Sequence, residues 1–80
     1  MNTTSLALKL HPNDNVAIAR ALIAEGTVVS EFDRIVVRAD VPAAHKLALT
    51  HVNAGEPVLR YGQIIGFATK AIEPGDYVHT

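Results

Sequence analysis

The 80-residue sequence has no cysteine and no tryptophan, one methionine, and only two phenylalanines and two tyrosines. Lack of cysteine excludes disulfide stabilisation and thiolate catalysis. Scarcity of aromatics means that a core has to be assembled from Val, Ile, Leu and Ala. A chain this short buries a limited fraction of its surface. So small an aliphatic core favours association with a partner, either a larger component or a second copy of the chain. Charge of one sign is lacking too: seven Lys and Arg against eight Asp and Glu give a formal net charge of −1. The basic residues are scattered singly, which leaves no footprint for nucleic acid. No apolar run approaches membrane-spanning length. The start, Met1-Asn2-Thr3-Thr4-Ser5, lacks the basic-then-apolar order of a signal peptide. These absences point to a cytoplasmic protein. What is present, a 49% hydrophobic content, is that of one globular domain over residues 1–80.

Short alternating apolar runs separated by turn formers predict a mainly β domain of short strands and tight turns, with at most one short helix. Ser5–Leu10 reads as an opening strand with Leu6, Leu8 and Leu10 on one face. His11–Asn15 is a loop. Val16–Ile23 is ambiguous: its alanines suit a helix that Asp14 or Asn15 could cap, whereas Val16 and Ile18 alternate as in a strand. A strand from Asn15 to about Ala19, followed by a turn or short helix, is the preferred reading. Further strands are expected at Thr27–Val29, Arg34–Arg38, Lys46–Thr50, Val58–Tyr61 and Ile64–Thr69, with a corner at Gly62-Gln63.

A pattern recurs along the chain. Ile23-Ala24-Glu25-Gly26-Thr27-Val28-Val29, Val52-Asn53-Ala54-Gly55-Glu56-Pro57-Val58 and Ile72-Glu73-Pro74-Gly75-Asp76-Tyr77-Val78 share an apolar anchor, a glycine three positions on and a returning apolar residue. Val41-Pro42-Ala43-Ala44-His45-Lys46-Leu47 is a fourth copy, with Ala44 in the glycine position. Each reads as a one-turn reversal closed at positive φ. The unequal intervals between copies exclude a solenoid.

His45-Lys46 stands out as a candidate acid/base beside a cation for a carboxylate. The alternative is a half-buried histidine at a strand end next to a solvated lysine. Strand alternation would put His45 with Leu47 and Leu49, and Lys46 on the other face with Ala48 and Thr50. His11, His51 and His79 show neither helical i, i+4 nor His-x-His spacing, so a metal held by this chain alone is not expected. Asp14-Asn15 suits either sugar hydroxyls or simply a turn. Tyr61-Gly62 reads as structural, and Gly62 and Gly66 form no phosphate loop. Glu25, Glu56, Glu73 and Asp76 read as turn residues, not as a paired-carboxylate site.

Four ordered segments carry a family resemblance: Asp14–Ala17, Val41–Leu49, Leu59–Ala68 and Ile72–His79. Together they resemble the SAF-type N-terminal domain of the altronate/galactarate dehydratase family, a module similar to the small subunit of sulfolactate sulfo-lyase. The resemblance implies a β-clip fold with a long folded hairpin. It also implies a larger hydro-lyase component carrying most of the catalytic machinery and a divalent metal, often iron, and acting on sugar acids. Family terms turn the Asp14-Asn15 loop, His45-Lys46 and His79 toward that component's active site: His45 and His79 as catalytic residues, Lys46, Asp14 and Asn15 toward substrate. Two departures stand out. Ala44 replaces the family's glycine, and the chain stops at Val78-His79-Thr80, where members commonly continue with a further His-Asn pair. SAF-like domains also serve as non-catalytic carbohydrate- or protein-binding modules, which is the alternative reading.

Overall fold

A computed structural model describes residues 5–78. Its elements are all strands: β1 (Ala7–Leu8), β2 (Val16–Ala19), β3 (Val28–Val29), β4 (Ile35–Val36), β5 (Lys46–Ala48), β6 (Pro57–Arg60), β7 (Gln63–Phe67) and β8 (Tyr77–Val78). The ambiguous Val16–Ile23 segment resolves as β2 without a following helix. An antiparallel sheet in the order β1-β2-β5-β8 forms the centre, and two hairpins, β3-β4 and β6-β7, project from it.

The repeated heptads become four equivalent corners. Gly26, Ala44, Gly55 and Gly75 take φ of 87°, 69°, 87° and 92°. In each corner the fourth turn residue donates its N–H to the carbonyl of the first: Thr27 to Ala24, His45 to Pro42, Glu56 to Asn53 and Asp76 to Glu73. Positive φ at the third position is the mark of a type II turn, where a side chain is strained. Ala44 therefore bears a cost of about 1 kcal/mol, and its corner keeps the same hydrogen bonds as the glycine corners. Its replacement of glycine does not alter the turn.

The corners pair through their anchors. Ile23 and Val41 exchange both main-chain hydrogen bonds, and so do Val52 and Ile72. Each corner also clasps one residue of a neighbouring segment: its third residue donates to that residue's carbonyl and its fourth accepts from that residue's N–H. The clasped residues are Val37, Ala19, Ala68 and Ala48, all buried. Each stands four positions before an anchor, so the repeating unit extends to eight residues: 19–26, 37–44, 48–55 and 68–75. The chain is thus two copies of a corner–hairpin–corner unit. β3-β4 fills the first and β6-β7 the second.

The central sheet separates two cores. Ala7, Ala17, Ala19, Ile23, Val29, Val37, Val41 and Leu47 form one, with Phe32 and Tyr77 packed against it. Val16, Ala48, Val58 and Val78 form the other, with Ile65 and Ile72. Adjacent strand residues point to opposite faces, so Leu47 enters the first core and Ala48 the second. The opening strand is shorter than the expected Ser5–Leu10, spanning Ala7–Leu8. Ala7 is buried, while Leu8 and Leu10 are exposed. The register pairs Ala7 with Ala19 in the first core, and alternation along the strand turns Leu8 to the other side.

The β6-β7 corner also differs by one residue from expectation. Tyr61 and Gly62, at φ 60° and 71°, are its central pair, and Gln63 already belongs to β7. Gly62 also packs closely under the His11 ring: a Cβ on it would lie 3.0 Å from that ring, which would have to shift slightly to admit it. The arm leaves Tyr61, Ile64 and Phe67 exposed at 68%, 57% and 61%.

Candidate functional site

His45 stands at the fourth position of its corner, immediately before β5, and is exposed. Two other corners carry a carboxylate at that position. Glu56 Oε1 accepts from the Asn53 N–H and Asp76 Oδ2 from the Glu73 N–H, both at 2.8 Å. In the His45 corner the first position is Pro42, which has no N–H to offer. The fourth side chain is thereby released from capping its own turn. His45 instead reaches across β5 to β8, where its Nδ1 lies 2.5 Å from the Tyr77 hydroxyl. The rings meet edge to face, with centroids 5.4 Å apart at 71°. The register that sets Leu47 opposite Tyr77 makes this diagonal contact possible.

Lys46 does not join them. It pairs with Ile18 on one side and Val78 on the other. Strand parity therefore puts it on the opposite face from His45 and Leu47, as the alternation predicts. Tyr77, which the sequence reading passed over, is the residue that His45 touches. A signal was available: Tyr77, one of two tyrosines, is the sixth residue of its copy, where the other copies carry Val28, Lys46 and Pro57. Tyr77 also lines a groove of about 390 Å³ with Phe67, Thr69, Lys70 and Asp76.

Asp14 and Asn15 have engagements of their own. Asp14 is 4% exposed, and its two carboxylate oxygens accept from the Tyr61 and Gly62 N–H groups at 2.8 Å. Asn15 donates from Nδ2 to the Pro57 carbonyl at 3.0 Å and accepts on Oδ1 from the Leu59 N–H at 2.8 Å. Both side chains tie the loop before β2 to the β6-β7 arm, and the structure does not bring them to His45. His79 lies outside the described residues.

A second polar cluster joins the paired corners of the second half. His51 Nε2 is 2.5 Å from Asn53 Oδ1 and its Nδ1 is 3.0 Å from Glu73 Oε2. These acceptors, Asn53 first and Glu73 second, hold the imidazole above its ordinary value of 6.5. Arg38 pairs with Asp76 at 3.4 Å. Among the described residues no three His, Asp or Glu side chains converge where they could hold an ion, so these residues do not fit a metal centre by themselves. Among the described residues no helix is long and apolar enough to cross a membrane.

These features define a class: a small domain of paired β-corners that presents a histidine–tyrosine pair outward beside a shallow groove. Residues 5–80 match the family described as the altronate/galactarate dehydratase SAF domain, and the chain belongs to that family. It is 45% identical over 73 residues to an altronate dehydratase of Escherichia coli (strain K12). It is 36% identical over 83 residues to the galactarate dehydratase (L-threo-forming) of the same organism. Those matches take in 90% and 94% of this chain but span only 15% and 14% of the relatives' own lengths. The chain is also 40% identical over 47 residues to the (2R)-sulfolactate sulfo-lyase subunit alpha of Paracoccus pantotrophus, covering 59% of this chain and 70% of that subunit.

Proposed function

We propose that the chain is the small subunit or N-terminal domain of a sugar-acid dehydratase-type lyase acting on altronate- or galactarate-like hydroxy acids. Its site is completed by a larger catalytic component. One observation carries the reading: nine-tenths of this chain aligns with about one-seventh of proteins named as dehydratases. Dehydration takes the proton α to a carboxylate and expels the β-hydroxyl, so it needs a base, stabilisation of the enediolate and a donor at the departing oxygen. A divalent metal, iron in particular, would supply charge stabilisation from the larger component. This chain lends His45 and, with it, His79. Lys46 attracts a substrate carboxylate from the other face of the same sheet end. Asp14 and Asn15 act through the arm they brace, setting how Tyr61, Ile64 and Phe67 meet the larger component.

The test combines the purified chain with the larger component and assays hexonates and hexarates. The chain alone is inactive, the mixture dehydrates, and His45→Ala lowers the rate by about 10²-fold or more. Full activity from the larger component without the chain, or an undiminished rate with His45→Ala, overturns the reading. The exposed arm residues also favour a second one, a non-catalytic protein- or carbohydrate-binding module. On that reading the chain binds the larger component or the sugar acid without changing the rate.

A further inference from the structure

We infer that Tyr77 is a positioning residue that holds the neutral His45 ring with its proton on Nε2. His45 then meets substrate as a hydrogen-bond donor and not as the base that removes the α-proton. The geometry supplies the argument. Nδ1 and the Tyr77 oxygen are 2.5 Å apart, so one of the two carries the shared proton. A phenolic O–H is a stronger acid than a neutral imidazole N–H, and a bare ring nitrogen is a stronger base than a phenol oxygen. The phenol therefore donates and Nδ1 accepts. A neutral imidazole has one N–H, which is left to Nε2. That nitrogen lies on the far side of the ring from Tyr77, in an exposed residue.

The edge-to-face packing fixes the ring plane, while the hydrogen bond sets the tautomer. The phenol ring is itself held against the first core. Rotation of His45 away from this aim would give up both contacts. An Nε2–H presented in this way can stabilise negative charge developing on a substrate oxygen, as a neutral histidine does in other proton-abstracting enzymes. It has no lone pair with which to take a carbon-bound proton. The base for that proton therefore belongs to the larger component. This assignment of roles rests on the dehydratase reading above; the tautomer does not.

The experiment has two independent arms. Ring nitrogen chemical shifts of the ¹⁵N-labelled 80-residue chain, taken where His45 is neutral, are expected to show the Nε2–H form. Tyr77→Phe keeps the packed ring and is expected to lower the Nε2–H to Nδ1–H ratio by roughly two- to tenfold. A dominant Nδ1–H form in the wild-type chain, or a ratio unmoved by Tyr77→Phe, overturns the inference without recourse to any variant's activity. In the second arm, His45→Gln, which retains an N–H donor but no base, is expected to keep about tenfold more dehydratase activity than His45→Ala when each is combined with the larger component. Equal losses overturn the donor role. If the larger component is fully active without the chain, the dehydratase reading fails while the tautomer stands.

Discussion

Asp14 grips the corner of a hairpin far along the chain. Its Oδ1 accepts from the N–H of Gly62, forty-eight positions downstream, at 2.8 Å, and its Oδ2 accepts from Tyr61 at the same distance. The central N–H groups of a two-residue turn have no partner in the strand ladder, so a buried carboxylate is the group that satisfies both. Asp14→Ala is expected to lower unfolding free energy by about 2–4 kcal/mol, since two charge-assisted bonds vanish and two donors lose their acceptor. Asp14→Asn retains one acceptor oxygen and is expected to lose about half as much. Urea titration of the 80-residue chain measures both.

The four corners predict unequal responses to the same substitution. A Cβ on Gly55 meets nothing within 4 Å, so Gly55→Ala carries only the backbone cost of φ +87°, about 1 kcal/mol. A Cβ on Gly75 lies 2.1 Å from the Val36 carbonyl oxygen. That backbone oxygen belongs to the peptide whose Val37 N–H donates to Thr27, so it cannot yield without straining that hydrogen bond. Gly75→Ala is expected to cost about 3 kcal/mol or more, and thermal unfolding of the two variants should separate them clearly.

The reverse change at Ala44 should stabilise. Ala44→Gly relieves the strain of φ 69° and gives back part of that gain through the freer unfolded chain. The expected net effect is a rise of about 0.5–1 kcal/mol, read as a higher midpoint in denaturant. His45 chemistry should be unchanged, because the corner already has the geometry of its glycine counterparts.

His51 makes stability depend on pH. Asn53 and Glu73 favour the protonated ring, so the folded value is raised above 6.5. Its contribution is full below that unfolded value and is lost as pH rises through the higher folded one. The stability difference between wild type and His51→Ala should therefore shrink on the alkaline side of 6.5. A difference that widened there would contradict the assignment.

Glu31 acts in the opposite sense. Burial pushes its carboxyl up, but the hydrogen bonds from the Ser5 hydroxyl and the Leu6 N–H outweigh it and hold the group below 4.5. Its contribution is full above 4.5 and is lost as pH falls through the lower folded value. Replacement by Gln should flatten the acid limb of the stability curve, and amide exchange at Leu6 should rise first, because that N–H is the one Glu31 anchors.

The corners were legible in the sequence because each is written in local chemistry. A glycine three residues after an aliphatic anchor reports a backbone angle that few other residues adopt. Strand parity, too, was enough to part Lys46 from His45. The partners of the corners were not legible. Nothing near Ala19 or Ala48 says that each is clasped by a turn from elsewhere, since alanine at those positions reports only that space is short. Alternation along β1 then turns Leu8 outward once Ala7 faces the core.

For the site, the sequence by itself determined which side chains could act. It placed His45 after a reversal, removed the competing N–H through Pro42 and excluded cysteine chemistry. Tertiary structure alone decided what those side chains do. The pairing of β5 with β8 brings Tyr77, thirty-two positions away, onto the His45 ring. The packing of the loop before β2 beneath the arm commits Asp14 to Tyr61 and Gly62. Such assignments depend on strand order and register, which are set by how two aliphatic cores fill from both faces of one sheet. No spacing along the chain records that.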